Sequence, residues 1–379
     1  MKKRTLIAAI ALLAATLTPA YAAYLPGMPK PLNESDIYAA DTPNNFSDEV
    51  KGDPALIYVP NTQSNTVQVY DQKSYKLIRT VKVGREPQHV VPSYDLKTLY
   101  ANSDLGNSLR PFDAKTGKPL KTIPLLDPYN LYFTPNGKYA VVMQERMKQI
   151  AFADPHTFKI IHTLKTNCGG VNHADWSADG TYFVASCEFS SSIIEVDTEK
   201  MKIIHEQFIP DSHSLHSASH HAGLPNLGPQ PQDVKLSPDG KTFYIADMMS
   251  DGIWTMPAPW GPLTYIKTGF GAHGLYVTRD SKNLIITNRD DSSISILQFS
   301  DNKVIHKYKI PGNASPDMGG ISADGNSFWV SGRYDNAIYQ ISLLDGHLIK
   351  KINTEKGPHG LAVWPQPGRY SLGHTGIMR

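Results

Sequence analysis

The chain has 379 residues, 40% of them apolar and 19% charged, with 28 Gly and 28 Pro. This composition excludes wholesale disorder and collagen-like structure, and the only long apolar run lies at the N-terminus, which excludes an integral helical membrane protein. Without Lys2, Lys3 and Arg4 the charge balance is 34 basic against 35 acidic side chains with no basic run, a poor match for nucleic acid.

Residues 1–22 have the form of a secretory leader. Lys2, Lys3 and Arg4 are followed by an apolar stretch from Thr5 to Thr18 and the small-x-small cleavage signal Ala20-Tyr21-Ala22. No Cys stands at the cleavage point and no twin arginine precedes it, so general secretion into a bacterial periplasm is expected. Residues 23–54 are rich in Pro, Asn and Asp and lack strand alternation; they are expected to form an extended arm. Cys168 and Cys187 lie 19 residues apart. In an oxidising compartment the pair points to a disulfide, the alternative being two ligands for a soft metal.

From residue 55 to 365 the chain repeats itself. A turn followed by an apolar strand recurs as Ser237-Pro-Asp-Gly, Ser177-Ala-Asp-Gly and Ser322-Ala-Asp-Gly, with weaker copies at Thr134-Pro-Asn-Gly, Ser93-Tyr-Asp-Leu and Thr278-Arg-Asp-Ser. Each is followed by two or three more strand-like segments with the alternation of half-buried antiparallel strands. Alignment on the turn places His89, Asn130, His173, Asp233, Gly274, Met318 and Gly360 at equivalent positions, separated by 41–44 residues except for one spacing of 60. A period near 42 with four strands per unit predicts an all-β, seven-bladed β-propeller in one domain. The seventh unit is split, so a strand near 359–365 is expected to complete the three strands of 55–83 and close the ring. Residues 366–379 form a Gly-rich tail.

The pattern resembles the YVTN-type propeller repeat, carried here by Tyr58-Val-Pro-Asn and by Gly357-Pro-His-Gly-Leu-Ala-Val. The resemblance covers nearly all of the chain after the leader. It implies fold better than function, since similar propellers include proteins of unknown role, lactonase-like enzymes, and the haem d1-binding propeller of cytochrome cd1 nitrite reductase with its biosynthetic relatives.

Histidine is the informative residue type, with 14 in the chain. His156, His162, His205, His306 and His347 fall on outer strands or turns and carry no expected role. His89, His173, His273 and His359 fall at the start of innermost strands and are expected to face one mouth of the central channel, although they occupy two registers one residue apart. Asp233 and Asp317 occupy related positions and could orient imidazole N–H groups. The long spacing contains an inserted segment with His213, His216, His220 and His221, whose separations suit a shared metal and whose position suits a lid. His374 and Met378 in the tail could join the site.

These residues suggest a periplasmic binding protein for a transition metal such as Cu, Zn or Fe. They would also serve a haem-type tetrapyrrole, with an axial His and with Arg85, Arg369 and Lys356 near its carboxylates. No CxxCH is present, so a covalent c-type haem is excluded. Two other classes remain open: a metal-dependent hydrolase or oxidoreductase using the same channel site, and a non-catalytic scaffold whose partner is another periplasmic protein. No G-x-S-x-G, H-E-x-x-H or P-loop occurs.

Overall fold

The computed structural model describes residues 24–211, 228–374 and 376–379; the expected leader, residues 1–22, and the histidines of the inserted segment, His213, His216, His220 and His221, lie outside the described residues. Seven antiparallel sheets form the blades of a closed propeller. Blade 1 combines Leu56–Asn61, Thr66–Asp71 and Leu77–Lys82 with the late strand Ala362–Trp364. The innermost strands of blades 2 to 7 are Pro87–Pro92, Asn130–Phe133, Val171–Trp176, Pro231–Leu236, Ala272–Val277 and Pro316–Ile321. Split closure in blade 1 is therefore present as the repeat arithmetic predicts, with Leu56 opposite Trp364 and Tyr58 opposite Ala362.

The gradient of burial explains the sequence pattern. Inner strands are buried at every position, for example Val171–Trp176. Outer strands such as Leu77–Lys82 are largely exposed. Apolar residues of adjacent blades interdigitate between the sheets, so each blade buries its faces against two neighbours rather than against one shared core.

The recurrent turn has a simple chemistry. In Ser237-Pro-Asp-Gly the Ser237 hydroxyl donates to Asp239 (2.6 Å), Asp239 accepts from the Lys241 amide (3.1 Å), and Ser237 Oγ accepts from Thr242 (3.0 Å). Ser177/Asp179 and Ser322/Asp324 repeat the hydroxyl-to-carboxylate bond at 2.6 Å. These side chains satisfy the backbone groups that a tight turn leaves unpaired.

Residues 24–54 run across the face that carries these turns. Leu25, Ile37 and Asn44 donate backbone hydrogen bonds to Asp179, Pro238 and Ala323, each at 2.8 Å. The tail enters the ring from that same face. Ser371–Gly373 and Ile377–Met378 form a short hairpin that pairs with Asn130–Phe133, adding two strands to the axial edge of blade 3. Tyr370, Leu372, Ile377 and Met378 are all buried there.

Cys168 and Cys187 form a disulfide, which excludes their service as metal ligands. It joins the lead-in to the blade 4 inner strand to the end of the neighbouring strand, where Val171 pairs with Cys187. The loop it closes spans 19 residues. Replacing both cysteines by Ala is expected to lower unfolding free energy by about 3 kcal/mol. A thermal melt of the double variant, compared with the parent under oxidising and reducing conditions, checks this; no change in midpoint would refute it.

Candidate metal centre in the central channel

The inner strands of blades 2, 4, 5, 6 and 7 share an irregularity at their beginnings. In blade 4 the register jumps from Val171↔Cys187 to Ala174↔Ala185, so one extra residue is inserted. The same bulge lies between Pro231 and Val234, Ala272 and Leu275, Pro316 and Gly319, and, one residue earlier, Pro87 and His89. A bulge re-aims the side chains beside it. It thereby allows histidines one repeat position apart, such as His173 and His273, to reach the same part of the channel.

Four of the histidines expected at the channel do converge, and the tail adds a fifth. His89, His173, His273, His359 and His374 are all 2% exposed or less. Ring centroids are separated by 4.8 Å for His89–His359, 5.0 Å for His173–His374, 5.2 Å for His89–His374 and 5.6 Å for His89–His173. His173 and His273 stand 6.1 Å apart, and His273 and His359 6.3 Å. His374 sits at the tip of the tail hairpin with φ 49°, its amide donating to the Leu131 carbonyl at 2.9 Å.

Among the described residues, two groups bring three ligand atoms within 4.8 Å of one another: His89, His173 and His374, and His273, Asp317 and His359. In the first group the tautomer of His89 is fixed. Its Nδ1 lies 3.1 Å from the Tyr129 carbonyl, which can only accept, so Nδ1 carries the proton and Nε2 the lone pair. That Nε2 is buried without a hydrogen-bond partner, as are Nε2 of His173 and of His374. The Asn130 amide nitrogen lies 3.3 Å from His173 Nδ1 and 3.0 Å from His374 Nδ1, and it also donates to the Asn172 carbonyl (3.2 Å). Coordination through Nε2 at these two residues requires protons on Nδ1. Turning the amide would present its oxygen to both.

Asp233 and Asp317 play different parts. Asp233 accepts from the amides of Val234 (3.0 Å) and Leu275 (2.9 Å), tying blade 5 to blade 6, with His374 Nε2 at 3.7 Å. Asp317 lies inside the second group. Its Oδ1 is 3.0 Å from Arg289 Nε and 3.3 Å from His273 Nδ1, and its Oδ2 is 3.4 Å from His359 Nε2 and 3.6 Å from Arg333 Nη1. Arg289 and Arg333 come from the loops after the second strands of blades 6 and 7 and have no place in the repeat signature, so nothing in the sequence pattern singled them out.

Arg85, Lys356 and Arg369 do not join the cluster. Arg85 and Lys356 are exposed. Arg369 donates to the Lys30 carbonyl of the arm at 3.0 Å and packs over Tyr370, on the face where the arm lies. Met378 packs into the apolar cluster that contains Trp364. The five histidines assigned to outer positions are exposed.

Burial leaves the channel imidazoles neutral. Desolvation pushes His89 down to about 3 and holds His173, His273, His359 and His374 well below the ordinary histidine range. Arg289 and Arg333 add to the effect at His273 and His359. Because these values lie below that of the unfolded chain, protons bind the unfolded state first as the pH falls. Their contribution is complete above about pH 6.5 and is lost below it, by about 1.4 kcal/mol per pH unit for each imidazole that stays neutral in the fold. The urea midpoint of metal-free protein is expected to fall steeply between pH 7 and pH 5; a flat profile would refute the neutral assignment.

One glycine is dictated by the site. A Cβ on Gly360 would stand 2.1 Å from His89 Cδ2 and 2.8 Å from Cγ. Gly360→Ala is expected to displace the His89 ring and destabilise the fold by roughly 1–3 kcal/mol, read as a lower urea midpoint. An unchanged midpoint would show that the ring can move aside freely.

The sequence matches the YNCE-like beta-propeller family over residues 35–214 and 262–367. The chain belongs to the YNCE-like beta-propeller family. No curated protein matches it. Solved structures similar to this family member include a protein of unknown function from Desulfotomaculum acetoxidans DSM 771, at 11% identity and TM-score 0.66, covering 82% of this chain and 98% of that one. A putative 6-phosphogluconolactonase from Bacteroides uniformis ATCC 8492 aligns at 18% identity and TM-score 0.61, covering 81% and 99%. Dihydro-heme d1 dehydrogenase NirN in complex with DHE aligns at 14% identity and TM-score 0.58, covering 88% and 78%. At these identities the likeness is one of fold.

Proposed function

We propose that this YNCE-like propeller is a periplasmic transition-metal-binding protein whose ion is held in the channel by His89, His173 and His374. The observation that carries this reading is the lone pair on His89 Nε2. Its direction is set by the Tyr129 carbonyl, it is buried without a partner, and it faces two more imidazoles whose Nε2 atoms are equally unpartnered. Unsatisfied buried polar atoms are costly; His89 Nε2 is already an acceptor, and with the Nδ1 atoms of His173 and His374 protonated the three Nε2 atoms at metal-ligand spacing are satisfied together by one ion. Neutral imidazole suits Cu, Zn and Fe. The leader-like N-terminus and the disulfide support an oxidising compartment.

The chain's own residues divide the work. His89 needs no rearrangement, because its Nδ1 proton already lies on a carbonyl. His173 and His374 become ligands as the Asn130 amide turns its oxygen toward their Nδ1 atoms, giving up the bond Nδ2 donates to Asn172 and the bond Oδ1 accepts from the Leu131 amide (2.9 Å). The tail hairpin and the inner strands exclude water from the ion. A tetrapyrrole, the reading favoured by the likeness to NirN, fits less well: centroid separations of 4.8–6.3 Å between the five imidazoles suit a bare ion, not the breadth of a macrocycle.

The test is metal content of tag-free protein purified without a nickel column, then stripped and reloaded with Cu, Zn or Fe. At least one ion per chain is expected, with loss of the trihistidine ion in His89→Gln and in His173→Gln. A Soret band on offering haem would favour the tetrapyrrole. Failure to retain any of the three metals, or haem, would overturn the reading and leave a protein-interaction scaffold in front.

A further inference from the structure

We propose that the channel holds a second metal ion, bound by His273, Asp317 and His359, so that the centre is a two-metal site with unlike coordination. This rests on the trihistidine reading and extends it.

The first support is a pair of facing acceptors. His359 Nδ1 lies 2.9 Å from Gln88 Oε1 and donates to it, so the lone pair of this neutral imidazole is on Nε2. That lone pair points at Asp317 Oδ2, 3.4 Å away, a fully buried carboxylate oxygen that accepts no hydrogen bond. Two acceptors facing each other in a dry space repel; a cation shared between them satisfies both. The third ligand, His273, has Nδ1 3.3 Å from Asp317 Oδ1 and 3.3 Å from the Met318 thioether. A soft sulfur donor thus stands beside the harder carboxylate.

The second support is the relation between the two groups. They lie in one channel rather than in separate pockets: His89 of the first group is 4.8 Å from His359 of the second, and His173 is 6.1 Å from His273. Ions held by the two sets would be neighbours in one channel. The positions differ in charge. The three-nitrogen set is neutral, whereas Asp317 supplies an anionic ligand for the more highly charged ion. Arg289 and Arg333 balance Asp317 from outside the ligand set, so loading the second position redistributes an existing charge pair instead of burying a new carboxylate.

The test uses full-length mature protein, stripped with chelator, loaded with Cu2+ alone and desalted. Two coppers per chain are expected, with an EPR spectrum showing magnetic coupling and fewer than two isolated spins. His273→Gln and His359→Gln, each confirmed as folded by urea titration, are expected to retain one copper with an uncoupled signal. His89→Gln is expected to lose the other. One copper in the parent protein that survives in His273→Gln and His359→Gln but disappears in His89→Gln would overturn the second position and leave the first intact. No copper in the parent would overturn the trihistidine reading itself.

Discussion

Everything in the channel depends on how the ring closes. Ala362–Trp364 pairs with Leu56–Tyr58, and just before it the backbone of Gly360 meets the blade 2 inner strand: the Val90 amide donates to Gly360 and the Gly360 amide donates to Gln88, each at 2.9 Å. This contact joins segments some 270 residues apart in sequence and sets His359 against His89. It also removes the free strand edges that an open array of seven sheets would expose. The glycine is required because the His89 ring occupies the space its side chain would fill. The fold and the cluster are therefore coupled: whatever opens the ring at blade 1 also separates His359 from His89.

Around the axis the remaining blades are joined by a second kind of bond. Tyr132 accepts from the Ala174 amide, Asp175 from Leu236 and Asp233 from Leu275, each at 2.9 Å, and Tyr276 accepts from Gly319 at 2.6 Å. Each side chain on one inner strand satisfies the backbone of the next. These buried polar groups are fully accounted for as structure. The Nε2 atoms of His89, His173 and His374 and the Oδ2 of Asp317 are among the buried polar atoms without a hydrogen-bond partner, as are Tyr58 Oη, Trp176 Nε1 and Trp329 Nε1; what sets the channel atoms apart is that they gather at metal-ligand spacing. Their neutrality under burial lets several imidazoles share a small volume without mutual charge repulsion.

The blade count, the turn chemistry, the split closure and the disulfide were all legible in the residues, since each depends on local pattern or on spacing. The four inner-strand histidines were legible for the same reason. Their convergence was not, because the one-residue difference between His173 and His273 is absorbed by bulges that no alternation pattern reveals. The position of Asp317 between His273 and His359 follows from that bulge as well. Arg369 illustrates the opposite difficulty. It follows closely on the closing strand, but the chain turns at that point and runs along the arm's face, so proximity in sequence to a channel strand does not put it in the channel. His374 reaches the cluster only because the tail folds back as a hairpin against Asn130–Phe133.

His89, His173, His273 and Asp317 each come from the start of a different inner strand, His359 from the lead-in to Ala362–Trp364 and His374 from the tail hairpin, so most of the cluster is written in repeat units. A substitution at the start of one inner strand changes one side chain of the cluster, together with whatever bond that side chain makes to the next blade. Coordination number, charge and softness can then be altered separately, blade by blade, as letters are changed in a word of fixed length. On the proposed metal reading, the same architecture can change its donors one blade at a time while the ring closure at Gly360 is kept.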